Sequence, residues 1–322
     1  MTYDKFAADL PPERTIEFTS AEEMEETFQQ WGVCQAIRQL GRGEFRSAMT
    51  AQSKGQVDLF SERYLTAISI SFEPPADTVV FGFPRSASGH LLINGDDVGN
   101  DKLAVVADGS GADIVGPNRV GSEVIVIPKT RFMEMTEALC PTFTLPEVTA
   151  LFEGDTAQLH ALRKAVADLV AQPESDVQDE DVANVIAHTI AWTGDSCCQW
   201  GPEHLTVNEA RIRVAKLAQE YIEERYFEAV HVEDLCRVTG VGVRTLQRCF
   251  REYFHLTVSN YLKVVRLDSA RRELLAAHCS DTSVTRIAMG NGCTHLGRFS
   301  VEFRERFGQS PKEMLAMRAS QR

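Results

Sequence analysis

The spacing of apolar residues changes character twice along this chain. Residues 21–31, AEEMEETFQQW, predict a short helix. From about 42 to 128 come short runs rich in β-branched and aromatic residues: GQVDLF, YLTAISISFE, DTVVFGF, HLLINGDDV, LAVVADG and SEVIVIP. Gly, Pro, Asn and Asp separate them, and strands at that spacing predict a β-barrel or sandwich. The Asn-Gly after HLLI predicts a hairpin turn, because both residues tolerate positive φ. Beyond Pro128 the period lengthens. Leu159, Leu162, Val166 and Leu169 form one apolar stripe and Val182, Ile186 and Ile190 another, with the polar QPESDVQDE between them. That is an α-hairpin, packed either on its own barrel or across a dimer. TGDSCCQWGPEH (193–204) shows no period and reads as a connector, where two domains would pivot. Everything after about 207 is helical and short-looped.

One phrase in this last third is written twice. CFREYF (249–254) returns as EFRERF (302–307), 53 residues later. The match extends downstream, FREYFHLTVSNYL over FRERFGQSPKEML. It extends upstream too, LCRVTGVGVRTL over IAMGNGCTHLGRF, with one extra residue in the second turn. Each copy predicts a short helix, a tight turn at Gly240 or Gly292, and a second helix, which is a helix-turn-helix. Leu246, Cys249 and Phe250, or Leu296, Phe299 and Phe303, mark the buried stripe of that second helix. The opposite face of the first copy carries Arg244, Gln247, Arg248 and Arg251. Such a helix fits the major groove, where Arg pairs bidentately with guanine and Gln with adenine. Neighbouring basic residues would hold phosphate and fix register. The segment 259–277, SNYLKVVRLDSARRELLAA, predicts one joining helix of about 28 Å at ~1.5 Å per residue. Successive major grooves on one face of DNA lie ~34 Å apart. A single basic helical face would fit a plain bundle equally well; two copies at that separation favour DNA.

Length and charge agree with this division. A chain of 322 residues predicts two or three domains. Its net charge of −13 hides an asymmetry: residues 1–204 carry 14 Lys+Arg against 32 Asp+Glu, whereas 205–322 carry 19 against 14. An acidic body bearing a basic module is the pattern of an interaction domain. No run approaches ~18 uncharged apolar residues, and MTYDKFAADLPPERT lacks the order of a secretion signal. The eight cysteines show no paired framework, as suits a reducing compartment. A cytoplasmic protein without membrane contact is expected.

Together, LCRVTGVGVRTLQRCFREYF, YLKVVRLDSARRELL and SVTRIAMGNGCTHLGRFSVEFRERFGQSP resemble the C-terminal DNA-binding domain of AraC/XylS-type transcription regulators. The resemblance spans about 205–318 and includes that family's RL..AR..L spacer and closing F..RFG.SP. The N-terminal portion resembles the family's barrel-plus-helices effector domains in order and length. The expected fold class is α+β: an N-terminal β-barrel or sandwich with flanking helices over 1–192, the connector 193–204, and an all-α DNA-binding domain over 205–322. The resemblance implies double-stranded promoter or operator DNA, a small-molecule effector, RNA polymerase and a second copy of the chain as partners. It implies no cofactor, no bound metal and no enzymatic activity. Arg244, Gln247 and Arg248 match the base-facing positions of the family's first recognition helix, with Thr245 and Arg251 beside them. In the second, His295, Arg298, Ser300 and Arg304 take the corresponding face. Leu296, Gly297 and Val301 fall there as well, where many members have polar groups. The second helix is therefore expected to read fewer bases and rely more on the DNA backbone. Gly242 stands in place of the usual helix-capping Ser, and Cys293 in place of an aromatic after the turn glycine.

Other features suggest other inputs. Cys197 and Cys198 lie between His188 and His204, which raises a metal-responsive or thiol-based redox regulator. The spacing matches no standard zinc site and adjacent cysteines chelate poorly, so an ordinary connector is the better reading. An enzyme with an accessory DNA-binding domain, and an architectural DNA-binding protein without ligand, remain rival classes. DGSGADIVG (108–116) lacks the GxGxxG spacing and following helix of a phosphate loop and reads as a loop between strands. His90 is the sole histidine of the strand region, against a metal-dependent barrel enzyme. Phe72, Phe81, Phe83, Arg85 and His90 are the candidates to line an effector cavity. Alternation puts Phe81 and Phe83 on one face, which ordinary core would explain equally.

Overall fold

The computed structural model describes residues 15–199 except 88, 140, 142–144 and 174, together with 208–277 and 282–320; the side chains of 195–199, 208–209 and 317–320 lie outside that description. The chain divides into two compact units, Met1–Ile37 with Arg46–Leu205, and Arg38–Phe45 with Thr206–Arg322.

The first unit is built from two sheets. Its strands are β1 (Thr15–Phe18), β2 (Cys34–Gln39), β3 (Ser47–Lys54), β4 (Val57–Tyr64), β5 (Ile68–Glu73), β6 (Thr78–Ser86), β7 (Leu92–Ile93), β8 (Asp96–Asp97), β9 (Lys102–Ala107), β10 (Ala112–Gly116), β11 (Val120–Pro128) and β12 (Ala150–Glu153). One sheet runs β1-β3-β4-β11-β6-β9-β12 and the other β2-β5-β10-β7-β8. Of the two expected forms the sheets take the layered one, without closing into a barrel among the described residues. The Asn-Gly turn forms as its chemistry requires: Asn94 and Gly95 have φ of 51° and 86°, and Ile93 of β7 pairs with Asp96 of β8. Residues 112–116, read above as loop, instead form β10, held between β5 and β7.

Four helices accompany the sheets: α1 (Ala21–Gln30), α2 (Lys129–Leu139), α3 (Thr156–Ala171) and α4 (Asp179–Gln199). The Asp155 carboxylate caps α3 by accepting the Gln158 N–H at 2.7 Å, which supplies a partner to one of the orphan donors of the first turn. The predicted stripes of α3 and α4 pack on their own sheet. Leu159, Leu162, Val166, Val182, Ile186 and Ile190 share one core with Leu59, Phe81, Ile125 and Phe132.

Strand alternation gives the larger sheet two apolar faces. Leu59, Phe81, Phe83, Leu103, Val105, Ile125 and Ile127 point to the helices. Phe60, Val80, Ala104, Val106, Val124 and Val126 point the other way, toward the smaller sheet. At one end of the helix side, Arg63 and Glu123 form a buried ion pair at 2.5 Å. Gly121 makes room for it: a Cβ there would lie 2.4 Å from the Glu62 carbonyl oxygen and 2.9 Å from Arg63 Cδ.

The second unit contains α5 (Asn208–Arg225), α6 (Val232–Thr239), α7 (Val243–Phe254), α8 (Val258–Ala276), α9 (Val284–Gly290), α10 (Leu296–Phe307) and α11 (Pro311–Ser320). Among the described residues, no helix is long and apolar enough to cross a membrane.

Candidate nucleic-acid interface

The first helix-turn-helix is α6 and α7. Gly240 ends α6 in the left-handed region (φ 70°), its N–H donating to the Cys236 carbonyl, a conformation that costs glycine nothing. Leu246, Cys249, Phe250, Tyr253 and Phe254 are the buried side of α7. The rings of Phe250 and Phe254 lie 4.7 Å apart, and Tyr261 of α8 lies 5.3 and 4.7 Å from them. The Tyr261 hydroxyl donates to Glu223 of α5 at 2.7 Å. Burial holds that hydroxyl's pKa well above its ordinary value, so it is a fixed donor. This aromatic wedge orients the opposite face of α7. There Arg244, Thr245, Gln247, Arg248 and Arg251 line one recess with Glu252, with the three arginines exposed.

The second copy is α9 and α10. Gly292 also has positive φ (73°), and here space matters too: a Cβ would sit 2.8 Å from the Tyr226 carbonyl oxygen and 3.0 Å from Arg266 Nε. Arg266 donates to the Tyr226 and Glu228 carbonyls, both at 2.7 Å, which seats the turn against α8. Cys293 is half-buried at the edge of a core formed by Leu267, Leu274, Ile287, Phe299 and Phe303. The two recognition helices have the same length, 12 residues, and are offset by the same 53 positions as the repeated phrase. Phe299 and Phe303 are buried where Leu246 and Phe250 are. His255 and Gly308, again 53 apart, close the helices with φ of 55° and 74°.

That register sets the outward positions against each other. Arg298 stands where Thr245 does, Ser300 where Gln247 does, and Arg304 where Arg251 does. His295 is the N-cap of α10, not part of its exposed turns. Gly297 and Val301 take the places of Arg244 and Arg248. Val301 is 58% exposed, so no core claims it. Arg298 donates to Glu302 at 2.8 Å, and Lys263 of α8 meets the same carboxylate oxygen at 2.8 Å. Burial pulls the Glu302 carboxyl upward, but its bonds to Lys263 and Arg298 outweigh that and hold it below its usual range. Spacer and second recognition helix are thereby tied together, and α10 presents fewer arginines outward (Arg298, Arg304) than α7 (Arg244, Arg248, Arg251).

The first unit holds a cavity between its two sheets, with about 920 Å³ of empty space including its mouth. Its walls are largely apolar, with Phe72 among them. Phe81 and Phe83 lie on the helix-covered face of the same sheet instead. Arg85 pairs with Gly121, as Arg63 does, which puts it on that face as well. His90 is exposed and bonded through Nδ1 to Asp97. Residues that sequence reasoning missed are in the wall: Glu62, Tyr64 and Gln35. A glutamate flanked by Ser61 and Arg63 reads as part of a polar, solvent-facing stretch, so nothing flagged it. Cys197 and Cys198 fall in the final turns of α4, and their side chains, like His204, are outside the described residues.

Residues 235–317 match a family model described as a helix-turn-helix domain. A 102-residue segment is 37% identical to the probable thc operon regulatory protein of Rhodococcus erythropolis, covering 32% of this chain and 31% of that protein. Over 94 residues the chain is 38% identical to the HTH-type transcriptional activator RhaS of Escherichia fergusonii, covering 29% of this chain and 33% of the relative. The chain thus spans about a third of the length of these relatives. A crystal structure of a probable AraC family transcriptional regulator from Rhodopseudomonas palustris is similar at 30% identity and a TM-score of 0.31, over 32% of this chain and 95% of that one. Residues 235–317 thus carry a helix-turn-helix domain, and this C-terminal region is similar to transcription regulators of the AraC/XylS type.

Proposed function

We propose that the chain is a sequence-specific DNA-binding transcription regulator that responds to a small molecule. The carrying observation is the outward face of α7, where Arg244, Thr245, Gln247, Arg248 and Arg251 converge opposite a stripe of buried rings. A helix so presented enters the major groove, with Arg244, Gln247 and Arg248 on base edges and Arg251 on phosphate. Helix α10 follows into the next groove, with Arg298, Ser300, Arg304 and His295 holding the backbone more than reading sequence. The relatives' names, an operon regulator and a transcriptional activator, favour activation as the output, with RNA polymerase as the further partner and a homodimer as the working form. The cavity of the first unit is the effector site. Its ligand would act by binding one arrangement of the protein better than another. Selection of bound duplexes from a randomised library by the purified full chain tests the DNA reading. An enriched motif is expected, and recovery of unselected sequence would contradict it.

A further inference from the structure

The effector reading places a ligand in the cavity of the first unit; the chemistry of the wall narrows which one. Among the described residues, those that line it include no Lys, Arg or His. A carboxylate or phosphate inside would be desolvated with no counter-charge in that lining, at a cost of several kcal/mol. The wall does hold one carboxyl group, Glu62, on the strand of the larger sheet that also presents Phe60 and Tyr64 to the cavity. Glu62 is half-buried, and it lines the cavity. The Tyr64 hydroxyl donates to Glu62 Oε2 at 2.9 Å, so the one phenolic donor is already committed. Ser122, also in the wall, donates its hydroxyl to the Glu123 carbonyl. Gln35 Oε1, in the same wall, is buried without a hydrogen-bond partner. The groups left over include two acceptors, the Glu62 carboxylate and Gln35 Oε1, and the rings of Phe28, Phe60 and Phe72 line the same cavity; aromatic faces attract cations.

We infer that the cavity takes a hydrophobic amine, its ammonium group bonded to Glu62 and its apolar body held between the two sheets. An ammonium brings three N–H donors and a positive charge, which answers both the spare acceptors and the carboxylate. Burial raises the Glu62 carboxyl to about 7, with Tyr64 and Arg63 pulling it down and Glu123 pushing it up. An arriving ammonium favours the ionised carboxylate and displaces its proton. This inference rests on the effector reading of the cavity, and its test separates the two.

The test is isothermal titration of the full chain with three isosteric probes, 3-phenylpropylamine, 3-phenylpropanol and 3-phenylpropanoate, at pH 7.5. The amine should bind about tenfold or more tighter than the alcohol, the low end for a charge-assisted hydrogen bond, and the carboxylate should not bind. Glu62→Gln should keep the alcohol's affinity and erase the amine's advantage. Retention of alcohol binding shows that this variant folds. Equal binding of amine and alcohol, a preference for the carboxylate, or an amine preference that survives Glu62→Gln would overturn the ligand class and leave the cavity as an effector site. Failure of all three probes to bind would overturn the effector reading, and the ligand class with it.

Discussion

Helices α7 and α10 begin and end 53 residues apart, close with a left-handed residue at the same position and bury aromatic rings on the same side. Outward they differ. Arg244 and Arg248 project from α7, while α10 offers Gly297 and Val301 at the same two positions and ties Arg298 down to Glu302. The inner face of each helix is constrained because every ring must fill its site in a close-packed core. The outer face fills no core, so the fold leaves its chemistry free to differ. Two copies of one scaffold can therefore divide the work, one reading bases and one holding the duplex.

If the buried faces are equivalent, their largest rings should matter alike. Phe250→Ala removes a side chain packed against Phe254 and Tyr261, and Phe303→Ala removes one packed against Phe299 and Phe307. Each should destabilise the domain by about 3–5 kcal/mol in chemical denaturation. A cost below 1 kcal/mol for either would break the equivalence.

The two turns should then separate. Gly240→Ala puts a side chain into open space at positive φ, a cost of about 1–2 kcal/mol. Gly292→Ala adds a clash with the Tyr226 carbonyl and should cost distinctly more, seen as the lower melting temperature of the two variants.

Smaller effects bear on the outer faces. If Val301 packs on a thymine methyl, replacing that thymine by deoxyuridine should weaken binding by about 0.8 kcal/mol, the value of one buried methyl. Val301→Ala should make the protein indifferent to that replacement in competition binding. The smallest change is at the start of α7, where Gly242 provides no side-chain cap. Gly242→Ser should stabilise the domain by roughly 0.3 kcal/mol, raising the denaturation midpoint without altering base preference.

Much of the second unit was legible because its signals are local. Repeated spacing, glycine turns and aromatic stripes each act within a few residues, and α6 to α10 fall where they predict. The first unit was harder to read. In β3, Ser47, Thr50 and Gln52 are buried, so the strand lacks the apolar alternation that marks one. Strand β10 follows a glycine-rich stretch, and its pairing with β5 and β7 comes from distant sequence. The cavity was hidden for a related reason. Both faces of the larger sheet are apolar, one against helices and one against empty space. Alternation alone therefore could not show that Phe81 faces the helices and Phe60 the cavity.

The central claim is that base reading is concentrated in α7. The most direct measurement compares full base-preference profiles of the wild-type chain, Arg248→Ala and Val301→Ala on the selected operator. Arg248→Ala should lose about 1–3 kcal/mol and relax preference at one base pair, while Val301→Ala should leave every guanine preference intact. A uniform loss across all sequences for Arg248→Ala, or an equal loss of base preference from both variants, would contradict the division between the two helices.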